Sequence, residues 1–125
     1  MAGKGHRQVT VTIKGVDVKC DPDPAQCYWI TGPDNIRWVF PDPPPGVEQV
    51  VIEWQNPGPP FRAEPMFHGM GAQPSTVGSR LPDLVSFGNN QIQGRYKYAV
   101  ICLDANGKVV AQVDPGGNND PQPPN

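Results

Sequence analysis

In the segment "EPMFHGMGAQP" (64–74), Met66, His68 and Met70 occupy alternate positions. In an extended chain such side chains share one face, with α-carbons two apart spaced by about 6.6–6.8 Å. Two thioethers and an imidazole on one face suit a soft ion such as Cu(I), whereas Zn(II) prefers thiolate, imidazole and carboxylate. The simpler reading makes Met66 and Phe67 apolar plugs at the edge of a core, with His68 in solvent. Methionine is an ordinary gap filler, and the plugs are the stronger reading.

Other chemistry finds less support. A blue-copper centre takes two histidines, a cysteine and a weak axial ligand. His6 and His68 are the two histidines, and Cys102 is followed by "LDANGK" with no His or Met, so that centre is missing. A nucleophile–histidine–acid arrangement would have to use His68, and no Ser or Cys sits in a recognisable elbow. Asp21 and Asp23 alternate with proline but lack EF-hand spacing and its glutamate, which leaves a rigid, solvated turn. Cys20, Cys27 and Cys102 cannot all pair within one chain. All three are expected as thiols in a reducing compartment, although Cys20 and Cys27 bracket "DPDPAQ", whose ends could approach and bridge. No catalytic residue and no cofactor is expected.

The elements that must position these residues read as strands. "QVTVTIK" puts Val9, Val11 and Ile13 on one face; after Gly15 the apolar set changes parity to Val16, Val18 and Cys20. That shift predicts a bulge or bend that carries the strand to a partner sheet. "CYWIT" and "IRWVF" flank "GPDN" and predict a hairpin, with Ile36, Trp38 and Phe40 inward. "VVIEW" turns Val50, Ile52 and Trp54 to one face. Residues 55–83 lose periodicity, and so long a loop is commonly functional or mobile; "LVSF" (84–87) follows it as a short strand candidate. "GRYKYAVICL", the Asn-Gly turn in "DANGK" and "VVAQV" form the clearest hairpin. No helix longer than a single turn is expected.

These elements predict an all-β fold: a two-sheet sandwich of six to eight antiparallel strands over 8–114, with a flexible N-terminus (1–7) and a disordered Gly/Asn/Pro tail (115–125). "GRYKYAVICLDANGKVVAQV" resembles the last two strands of immunoglobulin-like and fibronectin-type-III-like modules, which often read Gly-x-Tyr-x-Tyr-x-Val before a Gly-containing turn. Trp38 falls where such folds often carry a core tryptophan. The ending "VDPGGNND" is also similar to small, mostly uncharacterised bacterial sandwich proteins that close on an Asp-Pro pair. The resemblance implies an immunoglobulin-like arrangement. It departs at the cysteines, because the inter-sheet pair of antibody domains would need one close to Tyr98 and not at Cys102.

The chain has 125 residues, enough for one domain, and a net charge of −2 from ten basic and twelve acidic residues. No basic stripe tracks a phosphate backbone, which argues against nucleic acid. No apolar run reaches the ~20 residues that span a bilayer. With Met1 and no signal segment, a cytoplasmic protein is expected. Trp38 and Trp54 are in phase with core positions. Trp29, with Phe61 and Phe67 from the long loop, is the candidate recognition surface. The functional expectation is a non-catalytic binding or structural module that recognises a protein partner through loop 55–83 and nearby aromatics. The alternatives are copper binding through Met66, His68 and Met70, or a small enzyme with an unrecognised site.

Overall fold

The alternating residues of 8–14 do form a strand, β1 (His6–Lys14), with Val9, Val11 and Ile13 buried. Nine more strands follow in the computed structural model, which describes residues 4–75 and 77–124. They are β2 (Asp17–Asp21), β3 (Ala25–Tyr28), β4 (Asn35–Val39), β5 (Gln49–Gln55) and β6 (Phe67–Gln73). The rest are β7 (Asp83–Asn89), β8 (Gly94–Leu103), β9 (Val109–Val113) and β10 (Gly116–Asp120). No described residue is helical. One sheet runs β2-β1-β4-β7-β6; the other runs β3-β10-β8-β5, with β9 also paired to β8. The ten strands exceed the six to eight expected because 67–73 and 116–120 are strands too.

The parity change at Gly15 has a cause different from the one expected. Lys14 pairs with Asp17, Ile13 with Val18 and Val11 with Cys20, so a two-residue hairpin keeps both strands in one sheet. In that register odd positions of β1 face even positions of β2, which moves the apolar set by one residue without a bulge. Gly15 supplies the positive φ, 62°, at the first turn position.

The "GPDN" hairpin does not form. β3 and β4 lie in different sheets, and the turn between them, closed by Tyr28 N–H to Pro33 O at 2.9 Å, hands the chain across the sandwich. β4 then lies parallel to β1 (His6 opposite Asn35), and β3 parallel to β10 (Ala25 opposite Gly117). The sheets are therefore mixed, not antiparallel throughout. Parallel neighbours require a crossover, and β2 with β3 forms the excursion that brings β4 back beside β1.

Both expected tails contain strand. Residues 1–3 of the expected mobile start lie outside the described residues, as does Asn125. Lys4 Nζ donates to Trp29 O at 2.8 Å, and β1 begins at His6. Within 115–124, β10 enters the second sheet between β3 and β8, with Gly116, Gly117 and Asn119 buried. Small residues explain how so polar a segment is buried: a Cβ on Gly117 would lie 3.1 Å from Met66 Sδ. The polar side chain is fully paired. Asn119 Nδ2 donates to Asn89 Oδ1 at 2.8 Å and Asn90 Oδ1 at 3.0 Å, while its Oδ1 accepts from Asn89 Nδ2 at 3.0 Å. Asn90 also donates to Tyr96 Oη at 3.0 Å.

Between the sheets Trp38, Tyr96, Tyr98, Phe40 and Ile36 are almost wholly buried. Trp38 and Tyr98 meet edge-on, centroids 5.5 Å apart, and Trp38 Nε1 donates to Tyr98 Oη at 3.1 Å. Val100 and Cys102 continue the buried face of β8, and Ala111 and Val113 return against the core as the closing hairpin predicted. Val109, expected on the same face, is exposed and Val110 packs in its place, because the pairing shifts register at Cys102/Leu103.

Replacing Asn119 by Ala leaves amides of Asn89 and Asn90 without their buried partner. The expected loss is about 2–4 kcal/mol of unfolding free energy, read as a lower urea midpoint. An unchanged midpoint would show that this amide cluster does not hold β10.

Candidate functional site

β5 is the last strand of its sheet. All seven of its residues pair with β8, and Val50, Ile52 and Trp54 stand directly opposite Cys102, Val100 and Tyr98. The β8 residues are 0% exposed, whereas their β5 neighbours on the same inward face are only partly buried. The difference is one strand of cover, because among the described residues nothing pairs with the outer edge of β5. β6 ends the other sheet in the same way, and among the described residues no strand pairing joins β5 to β6. The sandwich is thus open along this side, as a lateral mouth between two edge strands.

Two depressions lie along the mouth. One, about 240 Å³, is lined by Phe40, Val50, Ala72, Leu81 and Leu84, with Glu48 at its rim. The other, about 350 Å³, is lined by Ile52, Trp54, Phe67, His68 and Met70, with Glu53 at its rim. Trp54 joins the mouth to the centre: its ring lies 5.2 Å from Tyr98 and 5.7 Å from Phe67. Charge on β5 is limited to Glu53. Glu48, just before the strand, pairs with Arg80 at 3.6 Å. Gly69 permits the close cover of β6, since a Cβ there would fall inside the Phe87 ring, which lies across the strand.

The structure separates the residues of the soft-metal reading. Met66 precedes β6 and is wholly buried, its sulfur against Gly117. His68 is exposed, and Met70 packs partly buried on the core; these two line the larger depression without Met66. Strict alternation from 66 fails because the strand starts at Phe67. Among the described residues, no three His, Cys, Asp or Glu side chains are grouped to hold a metal ion.

The aromatic surface is likewise divided. Phe67 is 3% exposed and belongs to the core. Phe61, half-buried, bridges to Arg95, and Lys97 Nζ sits 5.5 Å from its ring centroid. With Arg95, Lys97 and Asn118 it lines a separate concavity of about 360 Å³ on the other side of β8 and β10. Trp29 lines none of these depressions; its N–H donates to Asp120 O at 3.1 Å at the end of β3. Sequence reasoning placed Val50, Ile52 and Trp54 in the core and passed over them as a site. Their strand's lack of proline and lysine was the signal available.

The cysteines are free and buried, Cys20 and Cys27 standing in different sheets without a bridge. Burial is the main cause that pushes the Cys20 thiol up to about 12, with Asp23 adding to it. Burial also pushes Cys27 up to about 12, against a lowering by Arg7. Burial raises Cys102 as well. At neutral pH these are thiols packed among apolar side chains, poor nucleophiles and poor ligands.

No protein-family model, no curated protein and no solved structure matches this chain.

In the folded protein Ellman's reagent should label none of the three cysteines at pH 8, and all three after denaturation. The raised thiols also set a direction with pH. Unfolded thiols ionise near 9.0 and folded Cys20 and Cys27 near 12, so the contribution of these two to stability is complete below pH 9 and declines from 9 to 12. The unfolding midpoint should fall over that window, and less steeply in the Cys20→Ala, Cys27→Ala double variant.

Proposed function

We propose that this protein is a non-catalytic binding module that holds a partner protein at the mouth between β5 and β6, the second of which comes from segment 55–83. The observation that carries the reading is the incomplete cover of Val50, Ile52 and Trp54 beside the fully buried Tyr98, Val100 and Cys102. An inward face left half-covered along one edge is apolar surface that a partner can finish burying. The aromatic part of the expectation changes accordingly: Trp54 replaces Trp29 and Phe61, and Phe67, named from the start, backs the larger depression from the core.

The immunoglobulin-like arrangement suggested by 94–113 accords with such a role, since two-sheet modules commonly bind through edges and loops while the core serves as scaffold. Three free, buried thiols accord with a reducing compartment such as the cytoplasm.

The test is resonance mapping by ¹H–¹⁵N NMR with peptides selected from a random displayed library. Shifts should concentrate at Ile52, the Trp54 indole, Met70 and Leu84. Ala72→Arg places a long side chain at the smaller depression and should weaken binding about tenfold while leaving the unfolding midpoint unchanged. Shifts gathered instead around Phe61, Arg95 and Asn118 would overturn the assignment.

A further inference from the structure

We infer that the mouth receives an extended strand of the partner, added to the free edge of β5, with apolar side chains four residues apart and a basic residue beside them. This rests on the binding reading above and adds how the partner's chain runs and what it carries.

The backbone comes first. With β8 on one side, alternate residues of β5 aim their N–H and C=O groups at solvent on the other. The remaining edges are protected in ways that β5 is not. β2 carries Asp17, Lys19 and Asp21; β3 and β9 are four and five residues long; β6 is interrupted by Gly69 and Gly71. β5 has seven residues, no proline, no lysine and one charge, Glu53. It is the edge best suited to accept a further strand.

Side chains come next. A strand added there continues the inward face, and its alternate residues hang over β6. The smaller depression adjoins Gln49 and Val50, the larger one Ile52 to Trp54. Their centres are about four strand residues apart, ~13 Å, so residues i and i+4 of the incoming chain reach one depression each. Main-chain bonds then supply affinity and the two depressions supply selectivity.

Charge selects the occupant. Glu53 is unpaired at the rim among the described residues, while Glu48 is partly offset by Arg80 at 3.6 Å. A lysine or arginine on the partner is matched to Glu53. A second copy of this chain is not: two β5 strands paired antiparallel about Ile52 would set their Glu53 side chains diagonally, within about 8 Å of each other.

The test uses the full chain and a blocked, fluorescently labelled nonapeptide. It has leucines at positions three and seven, alanine at five, lysines at four and eight, on the face that Glu53 occupies, and threonines elsewhere. Anisotropy should report binding, and moving the second leucine to position six, on the opposite face, should weaken it about tenfold or more. Two further peptides carry N-methyl groups on odd or on even backbone nitrogens. One should lose binding and the other keep it, because only one set faces β5. Glutamates in place of the lysines should weaken binding about threefold at low salt.

Equal binding by both N-methylated peptides, or by the two leucine spacings, would overturn strand addition. If no nonapeptide binds but library-selected peptides still shift the mouth resonances, strand addition falls and the binding reading stands. If no peptide shifts those resonances, both fall. A concentration-dependent dimer abolished by Val51→Lys would give the edge to a second copy, against this assignment.

Discussion

The contact between Trp38 and Tyr98 fixes the spacing on which everything else in the fold depends. One ring comes from the middle strand of each sheet, both are wholly buried, and the indole N–H finds the phenol oxygen at 3.1 Å. Each aromatic removes ~150–250 Å² from water, and each polar atom is satisfied by the other, so the pair adds bulk without an unpaired group. Burial holds the Tyr98 hydroxyl well above its ordinary range, which keeps it a neutral acceptor for the indole N–H. Rings of this size hold the sheets apart at the centre. On the β5–β6 side no further strand covers the gap among the described residues, and residues such as Val50 and Ala72 line the smaller depression there. The open mouth is the consequence of sheet order.

Much of this was legible where one face of a strand faces the core. The phases of 8–14, 36–40 and 94–103 follow from burial on alternate positions, and Trp38, Tyr98 and Val100 are where that pattern puts them. What local pattern could not supply was partnership. "GPDN" has the chemistry of a tight turn, yet Tyr28 bonds through its loop to Pro33 while the flanking strands pair with β10 and β1. The "GGNND" segment carries no apolar residue, and it is buried because glycine makes room for Met66 and because the Asn119 amide is fully paired. Composition reads such a stretch as a tail; contacts far away in the chain decide otherwise.

The candidate site was half visible for the same reason. Val50, Ile52 and Trp54 are in phase with core positions, and their inward direction follows from alternation. That they are incompletely covered depends on sheet order, since the strand beside β8 is the last one. At Met66, His68 and Met70 burial follows the simpler of the two readings: Met66 and Phe67 are buried plugs, Met66 against β10, and His68 is exposed.

The place of β10 has a bearing on how the molecule assembles. This strand lies between β3 and β8, so the second sheet is joined through its latest-made member: Ala25 must wait for Gly117. During synthesis β3 leaves the ribosome with its hydrogen-bonding edge vacant, and the first sheet can form well before the second closes. Closure over so much intervening chain is entropically slow, which makes the nascent protein dependent on β10 to cover an edge exposed since β3 emerged.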